Sequence, residues 1–165
     1  MGIVSQTSAA GPSDPQTRSA PDVVVRGSAA GFLQNVESGR HRFAVDEPIA
    51  LGGTDTAATP YDLVLAALGS CTSMTVGLYA RKKRIPLENI TVSLWHSKIH
   101  AADCEECETR EGRIDRIEVA IDLTGELTDA QRARLLEIAR MCPVHRTLTS
   151  EINVRFAEPP QARPE

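Results

Sequence analysis

The longest uncharged stretch of the chain, residues 63–80, constrains the fold more than any other feature. Half of its 18 residues are leucine, valine or alanine, and the stretch just reaches the length of a membrane span. However, glycine, serine and threonine recur along it, and the basic run 81–84 and Pro86 end it. The pattern predicts a helix buried on nearly every side, and we expect no membrane partner. Because one chain of this size can hardly wrap such a helix by itself, we expect a subunit interface there.

Charge and composition exclude several classes of protein. The 165 residues contain 18 lysines and arginines against 22 aspartates and glutamates, which gives a formal charge of −4. A general nucleic-acid binder would need a surplus of cationic side chains, so we expect no nucleic-acid partner. With 41% apolar and 24% charged residues, the chain has the composition of a soluble globular domain, and its length fits one domain.

Both ends of the chain differ in composition from its centre. Residues 1–21 are rich in serine, threonine, alanine, glycine, proline and glutamine, which predicts a disordered N-terminal tail without the basic start and apolar run of a signal peptide. Residues 158–165 contain three prolines and predict a second disordered tail, so the folded domain is expected to be 22–157. Four cysteines without a secretory leader indicate a cytoplasmic, reducing compartment in which thiols stay free.

The first half of the domain begins with strands. Apolar residues between positions 23 and 36 predict a first strand, and Ser38-Gly39 predicts a turn into a second strand over 40–45. A loop at residues 52–55 follows. Thr59-Pro60 is typical of a helix start, because threonine caps a helix and proline fits its first turn.

The second half predicts an α+β protein. Alternating apolar residues indicate an antiparallel pair of strands over 90–99 and 114–123. A second helix starts at Thr128, whose hydroxyl and Gln131 have capping-box spacing. Its apolar face is predicted to consist of Leu135, Ile138, Ala139 and Cys142. A final strand is predicted over 152–156.

Two cysteines lie on the apolar faces of the two predicted helices. Cys71 shares a face with Leu68 and Thr75 in the uncharged helix, and Cys142 is expected at the end of the second helix because Pro143 follows it. A single cysteine on an apolar face is most simply a packing residue. Two inward thiols on two packed helices can meet, however, and this pairing weakens the interpretation of either cysteine as a packing residue only.

The residues around both thiols resemble a known family. The run TPYDLVLAALGSC, from Thr59 to Cys71, is similar to the start of the central helix of the OsmC/Ohr family of organic hydroperoxide reductases, and Gly52-Gly53 precedes it as in that family. The run ARMCPVH, residues 139–145, resembles the family's second cysteine motif. The similarity extends over the predicted domain in the order of its elements.

This resemblance implies an intertwined homodimer in which antiparallel sheets wrap long central helices and the active sites lie at the subunit boundary. It also implies a thiol peroxidase that serves the oxidative stress response. Cys71 would attack the organic hydroperoxide and become a sulfenic acid, and Cys142 would resolve it to a disulfide. An external dithiol would reduce that disulfide, without any metal or organic cofactor.

Two positions depart from the family pattern. The best-characterised branch has glutamate directly after the helix-opening proline, where it orients an arginine that stabilises the thiolate. This chain has Tyr61 at that position. Leu33 and Gln34 lie near the place expected for the arginine, with Arg40 and Arg42 as nearby cations. The sequence therefore leaves open which arginine activates Cys71.

The remaining two cysteines, Cys104 and Cys107, form a Cys-x-x-Cys motif preceded by His96 and His100. Cysteine and histidine are zinc ligands. On one strand, however, the two histidines would lie about 13 Å apart at 3.3 Å per residue, too far to share an ion. The alternatives are a zinc site or a polar loop without an essential thiol.

Two further functional alternatives follow from the same sequence. His145 lies three residues after Cys142 and would be the base of a Cys-His acyl-transfer enzyme, or else a histidine that binds carbonyl groups at a helix end. The other alternative is a non-catalytic member of the same fold that binds a small apolar ligand or senses redox state.

Overall fold

The structure, a computed structural model, describes residues 20–105 and 107–157. Apart from Ala20 and Pro21, the two tails predicted at 1–21 and 158–165 lie outside these residues. Three strands come first: β1 (Val23–Gly27), β2 (Gln34–Ser38) and β3 (His41–Val45). The long helix α1 (Pro60–Lys83), strands β4 (Leu87–His100) and β5 (Arg113–Gly125), and helices α2 (Asp129–Ala139) and α3 (Pro143–Leu148) follow. This order confirms the predicted α+β class.

The first three strands form one antiparallel sheet in the order β1-β2-β3, with Val25 opposite Val36 and Val36 opposite Phe43. The prediction of a single strand between 23 and 36 is wrong. Residues 28–31 (SAAG) form a turn in which the Ala30 amide donates to the Ser28 hydroxyl, and the chain reverses there. The predicted turn at Ser38-Gly39 is confirmed: Gly39 has a φ of 56°, which favours glycine.

A buried carboxylate organises the loop between the first sheet and α1. Asp46 is 1% exposed, and its Oδ2 accepts from the backbone amides and the hydroxyls of Thr54 and Thr56. The hydrogen bond from the Thr54 hydroxyl is the main reason why the pKa of Asp46 lies far below its ordinary value. This residue therefore fixes the chain that leads into the long helix.

Helix α1 begins as predicted. Thr59 accepts from the Asp62 amide, and the Asp62 carboxylate accepts from Thr59 in return, which completes a capping box. The helix ends at Lys83, and Arg84 adopts a left-handed conformation with φ 53°. Both ends are thus set by local sequence.

Within the single chain, α1 is only partly buried. Its buried residues within the chain are Leu68, Gly69, Thr72, Val76 and Ala80. By length and composition α1 is also able to cross a membrane, since an 18-residue window has a mean hydropathy of 1.6, but core helices of soluble proteins pass the same test. Only 28% of that window is buried inside the chain, so a large part of its apolar surface stays uncovered.

Strands β4 and β5 form the second sheet, an antiparallel hairpin that confirms the predicted pair. Helix α1 packs on β4, and glycine allows the close approach: a Cβ on Gly69 would lie 2.7 Å from Leu94 Cδ1. Helix α2 also packs on α1. The main core lies where these elements meet and contains Val76, Ala80, Leu123, Leu135 and Ala139.

The C-terminal elements differ from the prediction in two ways. The capping box of Thr128 and Gln131 is confirmed, but α2 ends at Ala139, and Cys142 lies at the start of the separate helix α3. The strand predicted over 152–156 is wrong, because these residues have no strand partner within the described part of the chain. Their apolar side chains are exposed, Phe156 completely.

Candidate active site

Cys142 is fully buried at the N-terminus of α3. Pro143 occupies the first helical position, where a missing amide hydrogen costs nothing. The Cys142 Sγ accepts from the His145 amide at 3.2 Å and from the Thr72 hydroxyl at 3.4 Å. Sulfur therefore takes the place of the usual oxygen cap of α3, and these two contacts fix its position against α1.

Cys71 lies in the middle of α1 and is half-buried. Its backbone carbonyl accepts from the Thr75 hydroxyl at 2.7 Å. On one side of Cys71 is the packed face of the helix, with Leu68 and Thr72, and on the other is apolar surface that includes Met74, 71% exposed. The Cys71 thiol therefore lies at the border between the core of the chain and its uncovered apolar surface.

The structure brings the segments of the two cysteines together through Thr72. Thr72 is the next residue after Cys71, and it is Thr72 whose side chain contacts the Cys142 sulfur. Both thiols are free. The Cys142 sulfur thus contacts the residue next to Cys71 in sequence. Direct contact between the two sulfurs stays a prediction. Sequence patterns point to Thr72 only through its spacing of four from Leu68 and Val76 on the buried face.

A pocket of about 440 Å³ opens beside this contact, between α1, β5, α2 and α3. Its aliphatic wall includes Ile117, Val119 and Leu136. Its polar lining comprises Thr72, Arg140 and His145. An apolar pocket with a few convergent polar groups is the usual form of a small-molecule site.

The cations beside the pocket are not the ones that the sequence singles out. Arg42 pairs with Glu37 at 3.3 Å, and Arg26 pairs with the same carboxylate at 2.8 Å and is the main cause of its lowered pKa. Arg40 is exposed in the turn between β2 and β3. Sequence reasoning missed Arg140, although it lies two residues before Cys142; its position just after α2 places it in the pocket lining.

Tyr61, at the position of the family's glutamate, contacts a histidine instead of an arginine. Its ring stacks on His96 with centroids 4.4 Å apart. His96 Nε2 lies 2.8 Å from Asp115 Oδ1, and this contact, followed by that of Lys98, lowers the pKa of Asp115. The contacts among Tyr61, His96 and Asp115 join the first turn of α1 to the β4–β5 hairpin.

The zinc site, one of two alternatives for this motif, does not form in the described residues. Cys104 and Cys107 are joined by a disulfide, so the expectation that all four thiols stay free is wrong. His96 contacts Asp115 and Tyr61. Within residues 20–105 and 107–157, no three histidine, cysteine or acidic side chains lie close enough to share a metal ion.

His145 lies on the six-residue helix α3, beyond the end of α2. It is in the first turn of α3, where its amide donates to Cys142 and its side chain lines the pocket. Among the described residues, no hydrogen bond joins its ring to a terminal helix carbonyl, so the structure gives no support to the prediction of a carbonyl-binding histidine. The structure adds a titratable ring to the polar side of the pocket.

These observations define an α+β protein with a long central helix, two antiparallel sheets and two free cysteines at the contact of α1 with α3. A family model described as OsmC-like protein matches residues 53–157. The chain therefore belongs to the OsmC-like family. The matched region contains both candidate cysteines and begins after the first sheet.

Solved structures share the fold. An OsmC-like protein from Mycoplasma pneumoniae is 17% identical, with a TM-score of 0.61 over 79% of this chain and 87% of that one. An organic hydroperoxide resistance protein from Elizabethkingia anophelis is 22% identical, with a TM-score of 0.58 over 81% and 91%. The organic hydroperoxide resistance protein OsmC from Legionella pneumophila is 19% identical, with a TM-score of 0.57 over 77% and 87%. No curated protein matches the sequence.

Proposed function

We propose that this protein is a thiol-dependent organic hydroperoxide reductase. The Cys71 thiolate attacks the distal peroxide oxygen, the O–O bond breaks, and an alcohol leaves while Cys71 becomes a sulfenic acid. The Cys142 thiol then condenses with the sulfenic acid, which forms a disulfide and releases water. An external dithiol reduces this disulfide by exchange and is itself oxidised.

The contact between Thr72 and the Cys142 sulfur carries this proposal. It holds the second cysteine against α1 at the position next to Cys71, so resolution needs a local movement and no refolding. The hydroperoxide resistance proteins with the same fold support the substrate class.

The pocket supports an organic substrate over hydrogen peroxide. The aliphatic side chains from β5 and α2 give an alkyl or aryl group an apolar surface to contact. Arg140, on the polar side, is the candidate cation for the developing negative charge.

We infer that the active protein is a homodimer. An apolar stripe on α1, which we call the α1 stripe, has the spacing of a helix–helix seam and consists of Val64, Ala67, Cys71, Met74 and Leu78. Its large members Val64, Met74 and Leu78 are 39%, 71% and 47% exposed. Contact between two α1 stripes would cover this surface and place Cys71 at the boundary, in a soluble, cytoplasmic enzyme.

The test is to add cumene hydroperoxide below one equivalent to the reduced protein and map disulfides by mass spectrometry. We expect a Cys71–Cys142 link, with one alcohol formed for each peroxide consumed. Cys71→Ser should abolish peroxide consumption. Cys142→Ser should leave a sulfenic acid that a dimedone-type reagent traps.

The matched control is the double variant Cys104→Ser, Cys107→Ser, which removes the other two cysteines and should consume peroxide like the wild type. Loss of peroxide consumption in this control, or consumption that persists in Cys71→Ser, would contradict the proposal.

A further inference from the structure

The disulfide between Cys104 and Cys107 lies in the connection between β4 and β5, outside the candidate active site. Two residues separate the cysteines, the spacing of many thiol–disulfide exchange centres, and their Cα atoms are 5.5 Å apart. Both cysteines are half-buried. Small thiols in solution therefore have access to the disulfide bond.

The disulfide contributes little to the stability of the hairpin. A disulfide stabilises a fold mainly by restricting the unfolded chain, and this effect grows with the size of the ring that it closes; the ring here is very short. The connection is already closed at its base, because the Ala101 amide donates to the Gly112 carbonyl at 2.9 Å and His100 pairs with Arg113. Ala101 is also fully buried. The hairpin thus keeps its register without the disulfide.

The disulfide is also distant from Cys71. Along α1, Tyr61 contacts His96, while Gly69, further down the helix, lies against Leu94. The two elements therefore run in opposite directions. From the contact at Tyr61, β4 continues toward the disulfide while α1 continues for ten residues, about 15 Å at 1.5 Å per residue, toward Cys71. Direct exchange between the two cysteine pairs of one chain is excluded by this separation.

The connection that carries the disulfide is rich in acidic residues. Residues 101–112 contain five acidic residues and one arginine, a formal charge of −4 that equals the charge of the whole chain. Asp103, Cys104 and Glu105 line a surface pocket of about 420 Å³ together with Arg116. A negative local potential attracts cationic reagents and repels anionic ones.

We propose that Cys104 and Cys107 form a second redox site, a reversible disulfide that exchanges with neutral or cationic thiols. A thiolate of the partner attacks one sulfur of the disulfide, and the other leaves as a thiolate. A second partner thiol attacks the mixed disulfide, so that the chain gains two electrons and two protons while the partner becomes a disulfide. The site does not depend on the proposed peroxidase reaction.

The test uses the folded variant Cys71→Ser, Cys142→Ser, whose only cysteines are Cys104 and Cys107. Native protein is treated with cationic cysteamine or anionic glutathione, and released thiols are counted by alkylation and mass spectrometry. We expect two thiols per chain, reduction about tenfold faster with cysteamine, and convergence of the two rates at high salt. Cystamine should restore the disulfide.

Charge variants test the assigned cause. Asp103→Asn with Glu105→Gln should lower the rate ratio of cysteamine to glutathione, whereas the control Glu88→Gln, exposed at the other end of β4, should leave it unchanged. The proposal is overturned if the bond resists reduction until the protein is denatured, if cystamine fails to form it, or if glutathione reacts as fast as cysteamine at low salt. Peroxide consumption in the variant that lacks Cys104 and Cys107 reports on the other site independently.

Discussion

At the scale of the residue, single side chains hold the candidate site in place through contacts that cross the fold. Thr72 and Cys142 are 70 positions apart in sequence, and their contact joins α1 to α3. Asp46 acts in the same way upstream, where one carboxylate oxygen accepts hydrogen bonds from Thr54 and Thr56. Since the loop it fixes leads into α1, this carboxylate positions the helix that carries Cys71.

Asp46 should make the fold sensitive to acid. Its pKa is lower in the folded protein than in the unfolded chain, so the ionised group contributes stability above the ordinary aspartate pKa of about 3.9. This contribution is lost as the pH falls below that value. We expect the melting temperature of the wild type to decrease more steeply between pH 5 and 3 (roughly the range around that pKa) than that of Asp46→Asn.

The same variant should melt at a lower temperature at neutral pH, because an amide cannot replace the carboxylate as acceptor of four donors. Asp55→Asn is the matched control, since Asp55 is an exposed aspartate of the same loop. Equal pH profiles for wild type and Asp46→Asn would contradict the role assigned to this carboxylate.

At the scale of the element, helix starts are encoded locally. The predicted capping box of Thr128 and Gln131 forms, and the predicted cap at Thr59 forms as a capping box with Asp62. The box at Thr59 is the more consequential, because it sets where α1 begins and thereby the position of every residue along it.

We therefore expect Thr59→Ala to lower the free energy of unfolding by about 1 kcal/mol, since the first turn of α1 loses an acceptor for the Asp62 amide. Thr59→Ser retains the hydroxyl and should restore most of this loss. Urea unfolding monitored by circular dichroism measures the difference; a loss equally large in the serine variant would mean that the methyl group, and not the cap, matters.

Elements that are set by local sequence could be predicted, whereas elements and contacts that depend on a distant segment of the chain could not. Helix α1, the β4–β5 hairpin and α2 follow from periodicity and capping. The split between β1 and β2 depends on a turn without a strong turn signal, and residues 152–156 have the alternation of a strand but pair with no strand among the described residues. Likewise, spacing locates Cys71 and Cys142 but not the contact through Thr72, because that contact arises only when α3 packs on α1.

At the scale of the whole molecule, the chain exposes more large apolar side chains than it buries. Among the described residues, 11 apolar residues are buried and 19 large hydrophobic ones are exposed, including three members of the α1 stripe. A surface of this kind is typical of proteins that associate. The proposed homodimer provides a single explanation for the stripe and for the length of α1.

Charge placed in the α1 stripe should dissociate the dimer. We expect wild-type protein to have twice the chain mass of 17.8 kDa in light scattering, and Met74→Lys to shift it toward the monomer, because a lysine in an apolar seam would have to be desolvated. Lys82→Glu, an exposed charge change at the end of the same helix, is the control and should leave the mass unchanged. A monomeric wild type would exclude the dimer.

With the proposed dimer, the different surroundings of the two sulfurs would link the proposed catalysis to protein concentration. Cys142 is buried inside its own chain, whereas Cys71 is half-buried and belongs to the α1 stripe, which the proposed dimer would cover. Dilution below the dissociation constant of this dimer would expose the Cys71 sulfur to solvent and leave the Cys142 sulfur buried. Separated subunits would then tend toward irreversible sulfinic acid, so that assembly would act as the safeguard of turnover.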